Sequence, residues 1–344
     1  MENLFILPGV PKLLQKTFSV ICEDLFNSHS KLQTKVYECF IKSSEFVITE
    51  KLNNLVKKYK DSVTFGSYPS WDHNYYETKL TIETNDEELS QKVVEEVKET
   101  MDAIDFDAFP LDDSDKKIES LLSKLDKKSF VSHVNNAQDI IKDCFNRYDK
   151  DQVAIAFNGG KDSMVLLHLI YSFFQNKSKN ASHAKLQALY IRDNDPFPQV
   201  EEFITECKDK YSLDMITIEA SMKEALTQML ENRPRIKAIL MGTRKGDPGS
   251  KNLSFFSPTD GNWPSVMRVN PILDWEYQDV WSFLRGLSLP YPRLYDQGYT
   301  SLGGRSNTSP NPDLIFIDEK GVQKFKPAYD LQDGSQERAG RGEY

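Results

Sequence analysis

The sequence predicts an α/β protein: a doubly wound, mostly parallel sheet preceded by a smaller α+β domain. Three observations carry that expectation. From residue 153 to 241, apolar runs of strand length alternate with helical periods, so crossover helices join successive strands and the strands run parallel. The run Phe157-Asn158-Gly159-Gly160-Lys161-Asp162-Ser163 joins apolar Val153–Ala156 to an apolar helical stretch, Met164–Ile170, which makes a strand, a tight loop and a helix. A chain of 344 residues with 39% hydrophobic content also holds enough material for two cores, at roughly 100 to 200 residues per domain.

Residues 1–105 read as the smaller unit. Leu7-Pro8-Gly9-Val10-Pro11 leads into a helix with Leu14, Phe18, Ile21 and Leu25 at helical spacing. Strands are expected at Thr34–Ile41 and Thr81–Thr84, and Asp86–Met101 places Leu89, Val93, Val94 and Val97 on one side of a charged helix. This part holds no nucleophile, metal cluster or phosphate loop. Residues 106–128, rich in Asp and Lys, read as a solvated linker with some helical periodicity. The second domain is expected over 129–344 and opens with an amphipathic helix marked by Val134, Ala137, Ile141 and Phe145.

There the elements follow in order: strand 153–157, helix 163–174, strand 186–191, helix 198–210, strand 214–218, helix 221–230 and strand 237–241. Beyond 242, prolines and glycines dominate apart from a helix near Tyr277–Leu287. Long loops inside a compact domain carry function or are disordered. With Phe255, Phe256, Trp263 and Trp275 among them, a folded, aromatic-lined binding region is expected.

Composition narrows the function. The formal charge of −9, from 43 Lys and Arg against 52 Asp and Glu, argues against broad binding to nucleic acid or an anionic membrane. A polyanionic ligand must therefore be held by local loops. No run approaches the ~18 apolar residues of a membrane span. Met1-Glu2-Asn3 lacks the basic start of a signal peptide, so a cytoplasmic protein is expected. Cys22, Cys39, Cys144 and Cys207 are widely scattered and read as reduced structural thiols. Oligomeric state is not legible.

Two strand-end loops carry the chemistry. In the first, Gly159 and Gly160 let the backbone turn and approach an anion, the helix start offers unpaired N–H groups, and Lys161 adds charge. Only Gly-Gly-Lys-Asp-Ser is present, so this is not the Walker form. In the second, Gly242-Thr243-Arg244-Lys245-Gly246-Asp247-Pro248 combines cations with a carboxylate. Ligands of doubly wound sheets bind at the carboxyl ends of strands, where both loops fall. Each residue also has a plain structural reading: Asp162 or Ser163 as a helix N-cap, Asp247 in an Asp-Pro turn, Asp260 in a turn, Trp263 in the core, and Glu337–Arg341 as a solvated charge run.

The segments Phe157–His168, Met241–Arg244, Ser257–Asp260, Trp263-Pro264, Met267–Pro271 and Tyr295–Asn307 together resemble eukaryotic FAD synthase over roughly residues 130–342. The first loop is similar to the pyrophosphatase-type loop of enzymes that cleave ATP between its α and β phosphates. The resemblance implies a fold related to the phosphoadenylyl-sulfate reductases and Mg²⁺-dependent transfer of AMP from ATP to FMN, giving FAD and pyrophosphate without a covalent enzyme intermediate. It also implies ATP and FMN as substrates and apo-flavoproteins as recipients of the FAD. Residues 1–105 resemble the C-terminal part of a molybdopterin-binding-type domain that precedes the synthase in animal forms, which implies an incomplete hydrolytic site.

Carried residue by residue, the resemblance implies catalytic roles for Asn158, Asp162, Asp247 and Arg341. Gly159, Gly160, Lys161, Ser163 and Arg338 would bind ATP or pyrophosphate, and Arg244, Asp260, Trp263 and Arg305 the flavin or substrate side. Asp247 is also the leading metal candidate, since a carboxylate beside polyphosphate makes electrostatic sense with a cation between them. For Asp162 three roles stay open: orienting Lys161, holding the loop, or reaching magnesium. A phosphoadenylyl-sulfate reductase would need a cysteine near its C-terminus, and none follows Cys207. A non-catalytic flavin carrier is the alternative from another class.

Overall fold

The computed structural model describes residues 35–70, 73–104, 106, 111–177 and 185–342. The helix expected through Leu14–Leu25, Cys22 and Trp71 lie outside the described residues. The chain divides into two compact units, Met1–Phe106 and Asp107–Tyr344.

In the first unit, strands β1 (Lys35–Ile41), β2 (Thr64–Pro69), β3 (Thr78–Thr84) and β4 (Ala103–Ile104) form an antiparallel sheet in the order β2-β3-β1-β4. Helices α1 (Glu45–Lys58) and α2 (Glu87–Thr100) supply Ile48, Leu55, Val93 and Val97 to a core with Cys39, Ile41, Leu80 and Ile82. Asp86 caps α2, its carboxylate accepting from the Leu89 amide at 3.0 Å, so the helix starts where the apolar period does. The sequence reading did not single out α1. Its stripe is blurred by Phe46 and Val47, which are 85% and 68% exposed.

The second unit opens earlier than expected. Within the segment read as a solvated linker, α3 (Ser114–Lys124) is a packed helix: Ile118 is fully buried, and the Ser114 amide and hydroxyl both donate to Gln175 Oε1. The helical periodicity of Ile118 and Leu121 outweighed the surrounding charge, which the exposed face of the helix carries. Helix α4 (Lys128–Arg147) then buries Phe130, Val134, Ala137, Ile141 and Cys144.

Six strands build the main sheet: β5 (Val153–Ala156), β6 (Leu186–Ile191), β7 (Leu213–Ile218), β8 (Ala238–Leu240), β9 (Phe256–Pro258) and β10 (Met267–Val269). Their order is β7-β6-β5-β8-β10-β9, and every pairing is parallel except β9 with β10. Helices α5 (Lys161–Lys177), α6 (Pro198–Lys210) and α7 (Met222–Asn232) are the crossovers. The chain moves outward from β5 through β6 to β7, then returns to the other side of β5 with β8. The order therefore reverses between β5 and β8, and the carboxyl ends of those two strands are where doubly wound sheets bind their ligands.

Residues beyond 242 contribute more sheet and core than the expected loop region. The β9–β10 hairpin extends the sheet, α8 (Tyr277–Gly286) packs on α5, and β11 (Ile315–Ile317) pairs with β12 (Gln323–Phe325). Trp275, expected to line a binding region, is instead buried against Phe130 and Phe283. Cys39, Cys144 and Cys207 are free, buried thiols, and burial pushes Cys144 up to about 12. Among the described residues, no helix is long and apolar enough to cross a membrane.

α5 is apolar on nearly all sides, and Met164–Leu167, Leu169 and Ile170 are each at most 1% exposed. His168 is enclosed with them. Its Nδ1 lies 3.0 Å from the Tyr211 hydroxyl, and burial, with a smaller contribution from Lys117, pushes its pKa down to about 3. The unfolded chain takes up this proton near pH 6.5, whereas the folded chain does so only near pH 3, so native stability falls as pH drops through that window. For His168→Gln, whose side chain does not titrate, the stability difference from the parent chain should shrink by roughly 2–3 kcal/mol between pH 7 and pH 4.5. Denaturant unfolding at the two pH values measures this, and an unchanged difference would contradict the buried neutral imidazole.

Candidate active site

Both expected loops reach the crevice. After β5, Gly159 turns the chain with φ +71°, and a Cβ there would stand 2.8 Å from Ile204 Cγ1. A side chain would be strained and crowded at once. Asn158 Oδ1 accepts from the Gly160 amide at 3.0 Å and lies 2.9 Å from Ser163 Oγ, which is also 2.9 Å from Gly160 O. The Lys161 amide donates to the buried Tyr295 hydroxyl at 3.0 Å. Two backbone donors expected to face phosphate are therefore engaged in shaping the loop. Asn158 ties its two ends together.

Gly242, after β8, brings the second loop against the first. A Cβ at this position would lie 3.0 Å from both Asp162 C and Ser163 N, so the two strand ends approach as only glycine allows. This contact brings Lys161 and Arg244 into one cluster. Both are charged yet nearly inaccessible, with side chains 2% and 6% exposed.

Burial of that kind requires partners. Lys161 Nζ donates to Asp162 Oδ2 at 2.9 Å and to one oxygen of Glu337. Arg244 Nη2 donates to the other Glu337 oxygen, and its Nε stands 2.8 Å from Asp162 Oδ1 as an ion pair whose angle falls outside hydrogen-bond geometry. Burial alone would lower the pKa of Lys161, but Asp162 and Glu337 carry it above the ordinary lysine value. Burial pushes Asp162 up, and Lys161 and Arg244 outweigh it and hold the carboxyl low. The cluster thus keeps two full positive charges at the mouth of the switch point. Of the three roles left open for Asp162, this geometry contains the first, orienting Lys161, and adds a pairing with Arg244.

Asp247 closes its own turn, with Oδ2 accepting from the Arg244 amide at 2.8 Å, while Oδ1 stands 3.8 Å from Arg244 Nη2. Burial raises its pKa, helped by Asp162 and Glu337. The expected Asp-Pro turn and a carboxylate oxygen facing the cluster are both present in one residue. Among the described residues no three His, Cys, Asp or Glu converge as a ready-made metal cage. A magnesium ion here would take one or two carboxylates and rely on substrate phosphate for further ligands, a demand that Asp247 Oδ1 fits.

The remaining predicted residues are spread more widely. Arg305 is exposed and paired with Asp195, beyond the end of β6, through Nε at 2.7 Å. Arg341 Nη1 donates to Leu302 O at 2.7 Å, and Arg338 is exposed. Asp260 and Trp263 occupy the turn of the β9–β10 hairpin. Because β9 runs antiparallel and Phe256 is level with Val269 and Leu240, this turn lies at the opposite end of the strands from the two loops. Asp260 is four residues past Phe256, a strand length of roughly 13 Å. Its side chain is 73% exposed with Arg268 Nη2 at 3.9 Å, while Trp263 packs partly against the core.

Sequence reasoning passed over Glu337 and Tyr295 as individual residues. Glu337 lies in the tail segment beside Arg338 and Arg341. Nothing in the linear pattern ties it to residues 93 and 176 positions away.

Comparison with known proteins agrees with this geometry. Residues 152–234 and 221–310 match the phosphoadenosine phosphosulfate reductase domain family, and residues 35–107 match the FAD synthase, middle domain, family. A probable FAD synthase of Caenorhabditis elegans is 34% identical over 350 residues, covering 99% of this chain and 67% of the relative, so the chain spans about two thirds of that protein's length. A probable FAD synthase of Schizosaccharomyces pombe is 44% identical over 204 residues, covering 58% of this chain and 76% of the relative. The solved Candida glabrata FMN adenylyltransferase in complex with FMN and the ATP analog AMPCPP aligns with TM-score 0.63 and 26% identity, over 68% of this chain and 97% of that one. Two buried cations at the switch point of a mostly parallel sheet, with relatives matched across both units, lead to one conclusion: the chain belongs to the eukaryotic FAD synthase family of FMN adenylyltransferases.

Proposed function

We propose that the Lys161–Arg244 cluster is the adenylyl-transfer site, at which the phosphate of FMN attacks the α-phosphorus of ATP. A bond forms from an FMN phosphate oxygen to that phosphorus, the bond to the bridging oxygen of the β-phosphate breaks, and pyrophosphate leaves with the electron pair. The observation that carries this reading is the convergence of two buried cations from the loops after β5 and β8. Phosphate's second ionisation, near pH 6, makes the nucleophile an anion already, so no side-chain base is required. The chain's task is to align two polyanions and to relieve their repulsion.

Lys161 and Arg244 would hold oxygens of the departing pyrophosphate, each well-aimed donor contributing about 3 kcal/mol in the transition state. Asp162 keeps Lys161 oriented and charged, and Asn158 keeps the loop in shape. Asp247 and phosphate oxygens would hold magnesium, which when bound supplies positive charge between the reactants. Arg338 and Arg341 would serve as further phosphate ligands from the tail. By the family resemblance, Asp260 and Trp263 would take the flavin end.

Three outcomes are expected. The purified chain with ATP, Mg²⁺ and FMN should release pyrophosphate in proportion to FAD formed; flavin binding without pyrophosphate would leave only a carrier. Asp247→Ala should lower kcat by roughly 100-fold or more. Its melting temperature should fall by no more than the loss of one half-buried turn contact, and circular dichroism melting with steady-state kinetics separates the two effects. Asp260→Ala should raise KM for FMN several-fold while KM for ATP stays put, and the reverse pattern would remove Asp260 from the flavin side.

A further inference from the structure

Glu337 holds the two cations that the proposed reaction needs. Its side chain is 13% exposed, with one carboxylate oxygen on Lys161 Nζ and the other on Arg244 Nη2. Two oxygens of one anion, each on a different cation, are what a phosphate group would offer at this position.

The approach of Glu337 is built rather than incidental. The Thr300 hydroxyl donates to the Glu337 carbonyl at 2.6 Å, and Asn311 Nδ2 lies 3.0 Å from Thr300 Oγ1 and 2.8 Å from Gln336 O. Thr300 and Asn311 are themselves buried, at 1% and 0% exposure. Further along, the Ser309 amide donates to Gly340 O at 2.8 Å and the Gly342 amide to Asn307 O at 2.9 Å. The tail is therefore strapped along residues 300–311 and delivers a carboxylate to the cradle.

Charge decides the consequence. Lys161 and Arg244 supply two positive charges, and Asp162, Glu337 and Asp247 three negative ones, so the cluster carries a net −1 with Glu337 in place. A polyphosphate cannot take both cations without displacing that carboxylate, and when pyrophosphate departs the carboxylate can take them back.

We infer that Glu337 is the internal competitor of phosphate in this site: it sets how tightly the cradle holds ATP and pyrophosphate and helps expel the product. This rests on the reading of Lys161 and Arg244 as the phosphate cradle. Glu337 acts through those cations and is a positioning residue rather than a catalytic one.

Isothermal titration of the full chain with Mg²⁺ and inorganic pyrophosphate tests it. The near-isosteric Glu337→Gln should bind pyrophosphate roughly tenfold more tightly than the parent chain, the scale of one charge-assisted hydrogen bond lost from the competing state. Product inhibition of FAD synthesis by pyrophosphate should strengthen to match, with KM for FMN unchanged. Glu337→Asp keeps the charge but is too short to span both cations, and should move in the same direction by a smaller factor. Equal or weaker binding by both variants would overturn the inference. Loss of fold in both would overturn it too, because an anion that yields to phosphate at every turnover cannot be one the fold requires. A parent chain that binds no pyrophosphate would instead refute the cradle itself.

Discussion

The structure turns on the burial of two cations, Lys161 and Arg244, in the crevice where the strand order reverses. An unpaired charge in such a place costs several kcal/mol, so the surrounding elements must supply carboxylates. Asp162 comes from the first turn of α5, Asp247 from the turn after β8, and Glu337 from the far end of the chain. Each of these is positioned by a different part of the fold. The site therefore draws on segments far apart in the sequence of the second unit.

Backbone geometry makes the pairing possible. Gly242 allows the β8 loop to touch the start of α5, and Gly159 turns the β5 loop beneath Asn158. α5 behind them is buried on almost every side, which fixes its N-terminus in space and leaves no polar slack around Lys161. A helix anchored by its core in this way presents its first turn rigidly. Tyr295 completes the arrangement by accepting from the Lys161 amide, which locks the backbone while the ammonium is held by carboxylates.

The same electrostatics separate binding from turnover. Cations held by internal carboxylates are charged and oriented before any nucleotide arrives, which lowers the reorganisation needed during reaction. On the proposed reading those carboxylates also compete with the ligand, so the site would not be simply a deep well for pyrophosphate. A transferase that must discharge a polyanionic product gains from that balance.

Much of this was legible in the chain itself. The alternation of apolar runs and helical periods determined the parallel sheet, and Gly159-Gly160-Lys161 and Gly242–Asp247, directly after strands, marked the crevice, because local propensity and period act over a few residues. The segments after residue 257 carried the resemblance to FAD synthases. What the sequence alone did not decide depends on distance in the chain. Charge density masked the packed helix Ser114–Lys124, since periodicity and solvation compete within one short stretch and only the neighbouring helix resolves them. The direction of β9 put Asp260 and Trp263 at the opposite end of the strands from the two loops, a consequence of hairpin pairing. Glu337 became visible as the partner of Lys161 and Arg244 only when the tail was folded back along residues 300–311, because electrostatic pairing follows spatial proximity and leaves no period in the sequence.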